Sequence, residues 1–306
     1  MNRLEIGFVT SANRDDVEAL EDLPIDSLWV GGHVASPNQA PEAMLRLAFL
    51  AALTKRVRIG TSILLLPLYA PAIVAKQVAD LDNVTGGRVT LGIGVGGEYP
   101  LEFRACGVPV AERGRRTNEA IPLIRRLWTG QEVSHSGPHY PMNAVRILPA
   151  PVQQGGPPIV VAGRKEPAML RAATLGDGWM PYLYSPRAYA ASVARIRELA
   201  GEAGRDLAGF QWMEFLFTSV RDDPEAARDE AAAFLGGTYR QDFRPIVDRV
   251  AAAGTPDQVA ARLQAFVDAG ARHIIFAPCV RDEAERAAMR RRILFEVVPR
   301  IVLPGV

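Results

Sequence analysis

The chain has 306 residues, 48% of them hydrophobic and 23% charged, with a formal net charge of +1. That suffices for one large core in the size range of a single α/β barrel, and no basic block or lopsided half is present to recruit nucleic acid or a membrane, so a small molecule is the expected partner. Two cysteines, Cys106 and Cys279, stand far apart without metal-ligand spacing, which argues against a disulfide framework and a structural zinc site. The amino terminus, MNRLEIGFVT, already follows a strand pattern without a signal-peptide core, and no uncharged apolar run is long enough to span a bilayer. A soluble cytoplasmic protein without a metal is expected.

In chain order, Leu4 to Val9 reads as the first strand and Arg14 to Leu23 as a short helix entered through Asn13, a favoured cap because its side chain accepts from an orphan N–H of the first turn. Ser27 to Gly31 is a second strand ending in Gly31-Gly32-His33, and Pro41 opens an apolar helix to Leu53. Two β-branched runs, Val57 to Ile63 and Val89 to Val95, then bracket a helical segment in which Ile73, Val74, Gln77, Val78, Leu81 and Val84 recur at three- and four-residue steps. Pro71 starts that helix and Gly86-Gly87 supplies its left-handed end. Glu112 to Trp128 is amphipathic, and Val133 to Ile147, with its Gly137-Pro138 turn, reads as a hairpin outside the main sheet.

The fifth strand is Ile159 to Ala162, whose loop Gly163-Arg164-Lys165 enters a helix at Pro167. Trp179 to Tyr182 is the sixth strand, followed by a helix from Pro186 to Ala203; Gln211 to Val220 is the seventh, followed by a helix from Pro224 to Leu235. Gly236 to Gly254 reads as a long connection, Thr255-Pro256 opens another helix, His273 to Ala277 is the eighth strand, and Glu283 to Val298 closes the chain. Strands alternating with helices in this way predict one domain over residues 1–306, a (β/α)8 TIM barrel with an inserted hairpin and extended loops at the C-terminal face.

The third and fourth strands each end in something unusual, Ser62-Ile63 before a Leu/Pro run and Gly92, Gly94, Gly96, Gly97 before Glu98. Parallel α/β proteins build their sites at that edge, where glycines let a ring or phosphate approach the backbone. The same glycines serve equally to relieve crowding at a barrel rim. They also lie in the wrong place for a dinucleotide fingerprint, since no helix opens directly on them.

Certain stretches carry a family likeness: DSLWVGGH; IGTSILLLPLYAPAIVAKQVADLDNVTGGRVTLGIGVGG; EF with CGVPVAERGRR and LIRRLWTG; GPHYPM with PAPVQQGGPPIVVAG; AATLGDGWMP; and GTPDQVAARLQAFVDAGARHIIF. By their order and spacing the chain resembles, nearly end to end, the bacterial-luciferase-like oxidoreductases, particularly the branch that uses the deazaflavin coenzyme F420. The resemblance implies the same barrel with a hairpin insertion and a homodimer formed through helices that follow the early strands. It implies that Ser62-Ile63 holds a non-proline cis peptide against one face of the cofactor ring, and that Gly96, Gly97 and Glu98 border the ribityl chain and substrate. Ala162, Gly163 and Arg164, with Gly178 and Trp179, match the phosphate region, where loop N–H groups and a guanidinium suit a dianion; a solvated loop charge is the plainer role for Arg164.

His33 matches a histidine that, in the family's dehydrogenases, exchanges a proton with a substrate hydroxyl; the acid that commonly precedes it is Gly32 here. His33 thus has two readings, a proton-transfer group or a ring packed beside the cofactor. Glu98 is an acid or base if buried, and otherwise a rim carboxylate. His135, His139 and His273 are expected to be structural, Cys279 a small buried hydrophobe, and Trp29, Trp179, Trp212 and Leu64 to Leu66 mostly core. The implied activity is hydride transfer between coenzyme F420 and a small organic substrate, and the arginine-rich, lysine-poor composition of a GC-rich source favours that coenzyme. The alternatives are an FMN-dependent monooxygenase and, in another class, a barrel that only binds a flavin or deazaflavin.

Overall fold

The structure, a computed structural model, describes residues 3–11, 13–36 and 40–303. Eight parallel strands form the barrel: β1 (Glu5–Val9), β2 (Ser27–Val30), β3 (Arg58–Thr61), β4 (Val89–Gly94), β5 (Ile159–Ala162), β6 (Gly178–Met180), β7 (Gln211–Val220) and β8 (His273–Pro278). Each pairs with its successor, and β8 pairs with β1 (Glu5 opposite His273, Phe8 opposite Phe276), so the sheet closes on itself. The predicted (β/α)8 barrel is the observed one.

Most strands are buried along their whole length because the inner face fills the barrel and the outer face is covered by helices. Trp29, Val160, Met180, Met213 and Ile275 fill the interior, with Val9, Ile63 and Phe215 packed against them. The helices start and stop where local chemistry asks them to. Asn13 and Ser185 accept from first-turn N–H groups, Pro71 opens the helix Pro71–Thr85, Gly86 ends it at φ 66°, and Thr255 with Gln258 forms a capping box on Pro256–Asp268. Among the described residues no helix is long and apolar enough to cross a membrane.

Several boundaries differ from the sequence expectation. β3 ends at Thr61, and a short strand, Leu64–Leu65, resumes pairing with β4. The intervening Ser62–Ile63 peptide is cis, as the resemblance implied. β6 starts at Gly178 and ends at Met180, with Tyr182 making only an isolated bridge to Phe215. The helix expected to stop at Leu235 runs on to Tyr239, because Arg240 rather than a glycine takes the left-handed cap at φ 56°. Gly236 and Gly237 lie inside that helix, where a Cβ at Gly237 would stand 2.4 Å from the Arg281 guanidinium. The stretch expected to be a plain connection to Gly254 holds a helix, Val247–Val250, and a short strand, Ala252–Gly254, that pairs in parallel with the end of β7. The hairpin is a separate antiparallel pair, Val133–His135 with Met142–Val145, tied to the helix Arg113–Leu127 through His135–Glu119 (3.0 Å) and to that helix's N-cap through His139–Glu112 (3.6 Å).

His273 has the structural role expected of it. The Trp29 indole donates to Ser27 Oγ (2.8 Å), the Ser27 hydroxyl meets His273 Nε2 (2.7 Å), and His273 Nδ1 faces Glu5 (3.2 Å). With Nδ1–H donating to Glu5 and Nε2 accepting from Ser27, the neutral ring is fully satisfied. Burial, aided by Arg58, pushes the His273 pKa down to about 3 from 6.5. The folded value lies below the unfolded one, so this stabilisation is complete above pH 6.5 and is lost as pH falls towards 3, by up to about 1.4 kcal/mol per pH unit. Chemical denaturation at pH 7 and pH 5 is expected to show a lower midpoint at pH 5 for the parent and a smaller difference for His273→Gln. Equal pH sensitivity in the two proteins would contradict this account.

Candidate active site

The loops at the C-terminal edge of the barrel bring together residues from β2, β3, β4, β5 and β6. His33 follows β2, and its backbone N–H donates to Pro41 O (3.0 Å). A Cβ on Gly32 would stand 2.3 Å from Pro41 O and 2.6 Å from Ala43 N, so the turn leaves no room for an acid at position 32. The carboxylate arrives from elsewhere. Glu102, on the short helix Pro100–Ala105 after β4, places Oε2 3.2 Å and Oε1 3.4 Å from His33 Nδ1 and accepts from the Val34 N–H (3.3 Å). Its side chain is 0% exposed, whereas that of His33 is 27% exposed. Nδ1–H therefore points into the carboxylate, which leaves Nε2 as the nitrogen available for proton exchange at the mouth. Sequence reasoning missed Glu102, although the EF pair containing it belongs to the motifs quoted above.

The Tyr99 ring meets His33 edge-on at 5.0 Å between centroids. Glu98 is exposed, so it is a rim carboxylate and not the buried acid or base that one of its two readings required. Burial first, and then the Glu98 charge, push the Tyr99 and Tyr182 phenols up from their ordinary value. Burial holds the Cys279 thiol well above its ordinary value, in keeping with an inert core position.

The edge of β3 is closely fitted. A Cβ on Gly31 would lie 2.6 Å from the backbone Ser62 O, so that glycine is required by close approach, and one on Gly94 would lie 2.0 Å from Ile63 Cδ1, so that Ile63 would have to shift. Ser62 Oγ is buried without a hydrogen-bond partner. Gly96 and Gly97 take left-handed conformations (φ 61° and 114°), and a Cβ on Gly97 would stand 3.1 Å from Arg113 Nε.

On the opposite side Ala162 ends β5 and Gly163 turns at φ 128°. Arg164 is exposed, with a bond from Nη1 to Leu183 O (3.1 Å) and its guanidinium 5.0 Å from the Tyr182 ring centroid. The structure does not put Gly178 and Trp179 at an accessible surface. A Cβ on Gly178 would lie 2.8 Å from Gln211 Cβ, which marks a packing glycine. Trp179 is 0% exposed and donates from its indole to Gly163 O (2.8 Å), so it orients the Gly163 peptide from behind. Among the described residues no group of three or more His, Cys, Asp or Glu side chains is placed to hold a metal ion.

A closed parallel barrel with a histidine–carboxylate pair beside an irregular third strand at its C-terminal mouth defines a barrel enzyme of the luciferase-like type. The sequence model of the family "Luciferase-like monooxygenase" matches residues 5–273, and the chain belongs to that family. It is 30% identical to an F420-dependent glucose-6-phosphate dehydrogenase of Nocardia farcinica over 349 aligned positions, covering 98% of this chain and 99% of that protein. The chain spans about half the length (56%) of uncharacterised Mycobacterium tuberculosis proteins with which it shares 38% identity over 164 residues, 54% of this chain. Two solved structures share the fold. An F420-dependent secondary alcohol dehydrogenase in complex with an F420–acetone adduct superposes with a TM-score of 0.84 at 21% identity, over 98% of this chain and 99% of that one. The oxygenating constituent of 3,6-diketocamphane monooxygenase from Pseudomonas putida, in complex with FMN, gives 0.82 at 20% identity, over 99% and 100%.

Proposed function

We propose that this protein is an oxidoreductase that moves hydride between coenzyme F420 and a small organic substrate, with His33 exchanging the accompanying proton. The observation that carries the reading is the buried Glu102 carboxylate on His33 Nδ1, beside the Ser62–Ile63 edge. The residues there fit a deazaflavin ring: the buried Ser62 Oγ lacks a protein partner, and Gly96 and Gly97 keep side chains out of the loop. In this reading Ser62, Ile63, Gly96 and Gly97 hold the ring and its chain, and Ala162, Gly163 and Arg164 receive the phosphate. Trp179 serves that end through the Gly163 carbonyl. The bound coenzyme supplies the carbon that gives or takes hydride. His33 Nε2 holds or delivers the proton at the substrate oxygen, Glu102 fixes the ring and balances the imidazolium, and the apolar barrel interior excludes water.

Titration with F420 and, separately, with oxidised FMN tests the reading. Binding of F420 with weak or no FMN binding is expected. Tight FMN binding without F420 binding would replace it with an FMN-dependent monooxygenase. Coenzyme that binds but is never turned over by any alcohol or ketone would favour the non-catalytic alternative, against which the His33–Glu102 pair stands. An enzyme using this coenzyme is placed in the cytoplasm.

A homodimer is part of the proposal. Leu45 (73% exposed) and Phe49 (37%) on the helix Ala43–Leu53, with Ile73 (55%) and Val84 (76%) on the neighbouring helix Pro71–Thr85, leave apolar side chains in solvent on the helices after β2 and β3. Light scattering at micromolar concentration is expected to give twice the chain mass, and Leu45→Glu with Ile73→Glu to give the monomer. A monomeric parent would remove the dimer.

A further inference from the structure

His33 is placed by the turn that packs behind it. Its N–H donates to Pro41 O, and Gly32 lies so close to Pro41 O, the Glu42 carbonyl carbon and Ala43 N that residues 41–43 form a wall setting where the His33 backbone can stand. Glu42 holds that wall with both carboxylate oxygens. Oε2 accepts from the Leu45 N–H (2.7 Å), capping the helix Ala43–Leu53, and Oε1 accepts from the Tyr69 hydroxyl (2.6 Å). Serine, threonine, asparagine and aspartate are the usual caps. The longer glutamate reaches the helix N–H and Tyr69 at once.

Tyr69 brings the second segment of the site to this wall. Its N–H donates to Leu66 O (3.1 Å), closing the turn Leu66–Leu68, which continues directly from Ser62–Ile63 and the short strand Leu64–Leu65. The segments after β2 and β3 therefore meet twice. Near the strands the Ser62 N–H donates to Val30 O (2.7 Å) and Gly31 abuts Ser62 O; farther along both segments Tyr69 donates to Glu42. His33 lies between the two contacts along the chain. One contact alone leaves a hinge about which the turn can swing, whereas two fix its direction. The outer contact joins a hydroxyl to a carboxylate, a charge-assisted bond, and burial followed by that bond pushes the Tyr69 phenol well above its ordinary value, so it remains a donor at any working pH.

We propose that Glu42 and Tyr69 are positioning residues for His33: their bond keeps residues 41–43, and through them the imidazole, in register with the Ser62–Ile63 edge. Both act through the backbone of the turn. The inference rests on the reading of the site as that of an F420-dependent oxidoreductase and adds the pair that aims its proton-transfer group. A displacement of about 1 Å in such a group costs on the order of a hundredfold in rate, so a partial loosening of the turn is readable in catalysis.

The test combines F420 titration, single-turnover hydride transfer at saturating F420 with a turned-over alcohol or ketone, and the imidazole signals of the coenzyme-free full chain in NMR, His33 being identified by its loss in His33→Ala. Tyr69→Phe, which keeps the ring, is expected to slow transfer about tenfold, to leave F420 affinity within about twofold, and to move the His33 signals but not those of His273. Glu42→Gln, whose amide still bridges Leu45 N–H and the Tyr69 oxygen, is expected to retain most of the rate, and Glu42→Ala to lose at least what Tyr69→Phe loses. Added to His33→Ala, Tyr69→Phe is expected to have no further effect. Unmoved His33 signals or an unchanged rate in Tyr69→Phe overturns the proposal. So does a loss that persists in full on His33→Ala, one that takes the form of weaker F420 binding, or a Glu42→Gln variant as slow as Glu42→Ala. A parent that binds no F420 while its His33 signals still answer to Tyr69→Phe sinks the coenzyme reading alone and leaves the positioning role standing.

Discussion

His33→Ala is expected to slow single-turnover hydride transfer by about 10²–10⁴-fold, the usual contribution of a positioned acid or base, with F420 affinity nearly unchanged. In the proposed reading the nitrogen that faces the substrate oxygen is removed, whereas Ser62, Gly96 and Gly163, proposed to hold the coenzyme, are untouched. Glu102→Gln is expected to cost about tenfold or more, since an amide presents an acceptor to Nδ1–H but no charge to balance the imidazolium. The two residues act as one unit, so the double variant should be little slower than His33→Ala alone. Glu102→Asp should restore part of the loss, because the charge returns at a longer reach. Rapid mixing of enzyme and F420 with a turned-over alcohol or ketone reads all four. Additive losses in the double variant would show that Glu102 acts independently of His33, and an unimpaired His33→Ala would return that residue to a packing role.

Asp16→Ala is expected to destabilise the protein by about 3–5 kcal/mol, because it leaves Arg290 as an uncompensated buried charge. Arg290, on the closing helix Glu283–Arg292, is 2% exposed and pairs through both terminal nitrogens with Asp16, on the helix after β1. The same guanidinium donates to Val9 O (3.1 Å), and Thr10 Oγ1 donates to Asp16 (2.7 Å). The network therefore fastens the first and last helices to the end of β1, on the face that carries the site. Burial raises the Asp16 carboxyl, but the Arg290 bond and charge outweigh it and hold the pKa below 3.8. That contribution is present above pH 3.8 and lost as pH falls through the folded value, a window below the one set by His273. Asp16→Ala with Arg290→Met should recover part of the loss, since the apolar replacement removes the orphaned charge. Chemical denaturation near pH 7 measures both variants, and a loss under 1 kcal/mol for Asp16→Ala would mean that solvent reaches Arg290.

What the sequence determined by itself is what neighbouring residues decide among themselves. Strand runs and helix faces follow from side-chain periodicity, and Asn13, Pro71, Gly86 and Thr255 mark helix ends because each satisfies or permits a backbone conformation within its own turn. Alternation of these elements was enough for the barrel, and the barrel was enough to direct attention to the ends of β3 and β4. Only the tertiary structure decided which side chains meet there. Glu102 lies 69 residues from His33 and supplies the carboxylate that the turn at Gly32 has no room to carry. Gly178 and Trp179, in a motif that suggested phosphate contact, turn into the packing because β6 starts deeper in the barrel, level with the middle of β5. The helix after β7 runs through Gly236 and Gly237, where a Cβ on Gly237 would meet the Arg281 guanidinium, and ends at Tyr239 with Arg240 as its left-handed cap. Tyr239, the last residue of that helix, thereby stacks on Tyr182 from the segment after β6. Local propensity could not foresee these outcomes, because each depends on the distance and direction between segments that only closure of the sheet brings together.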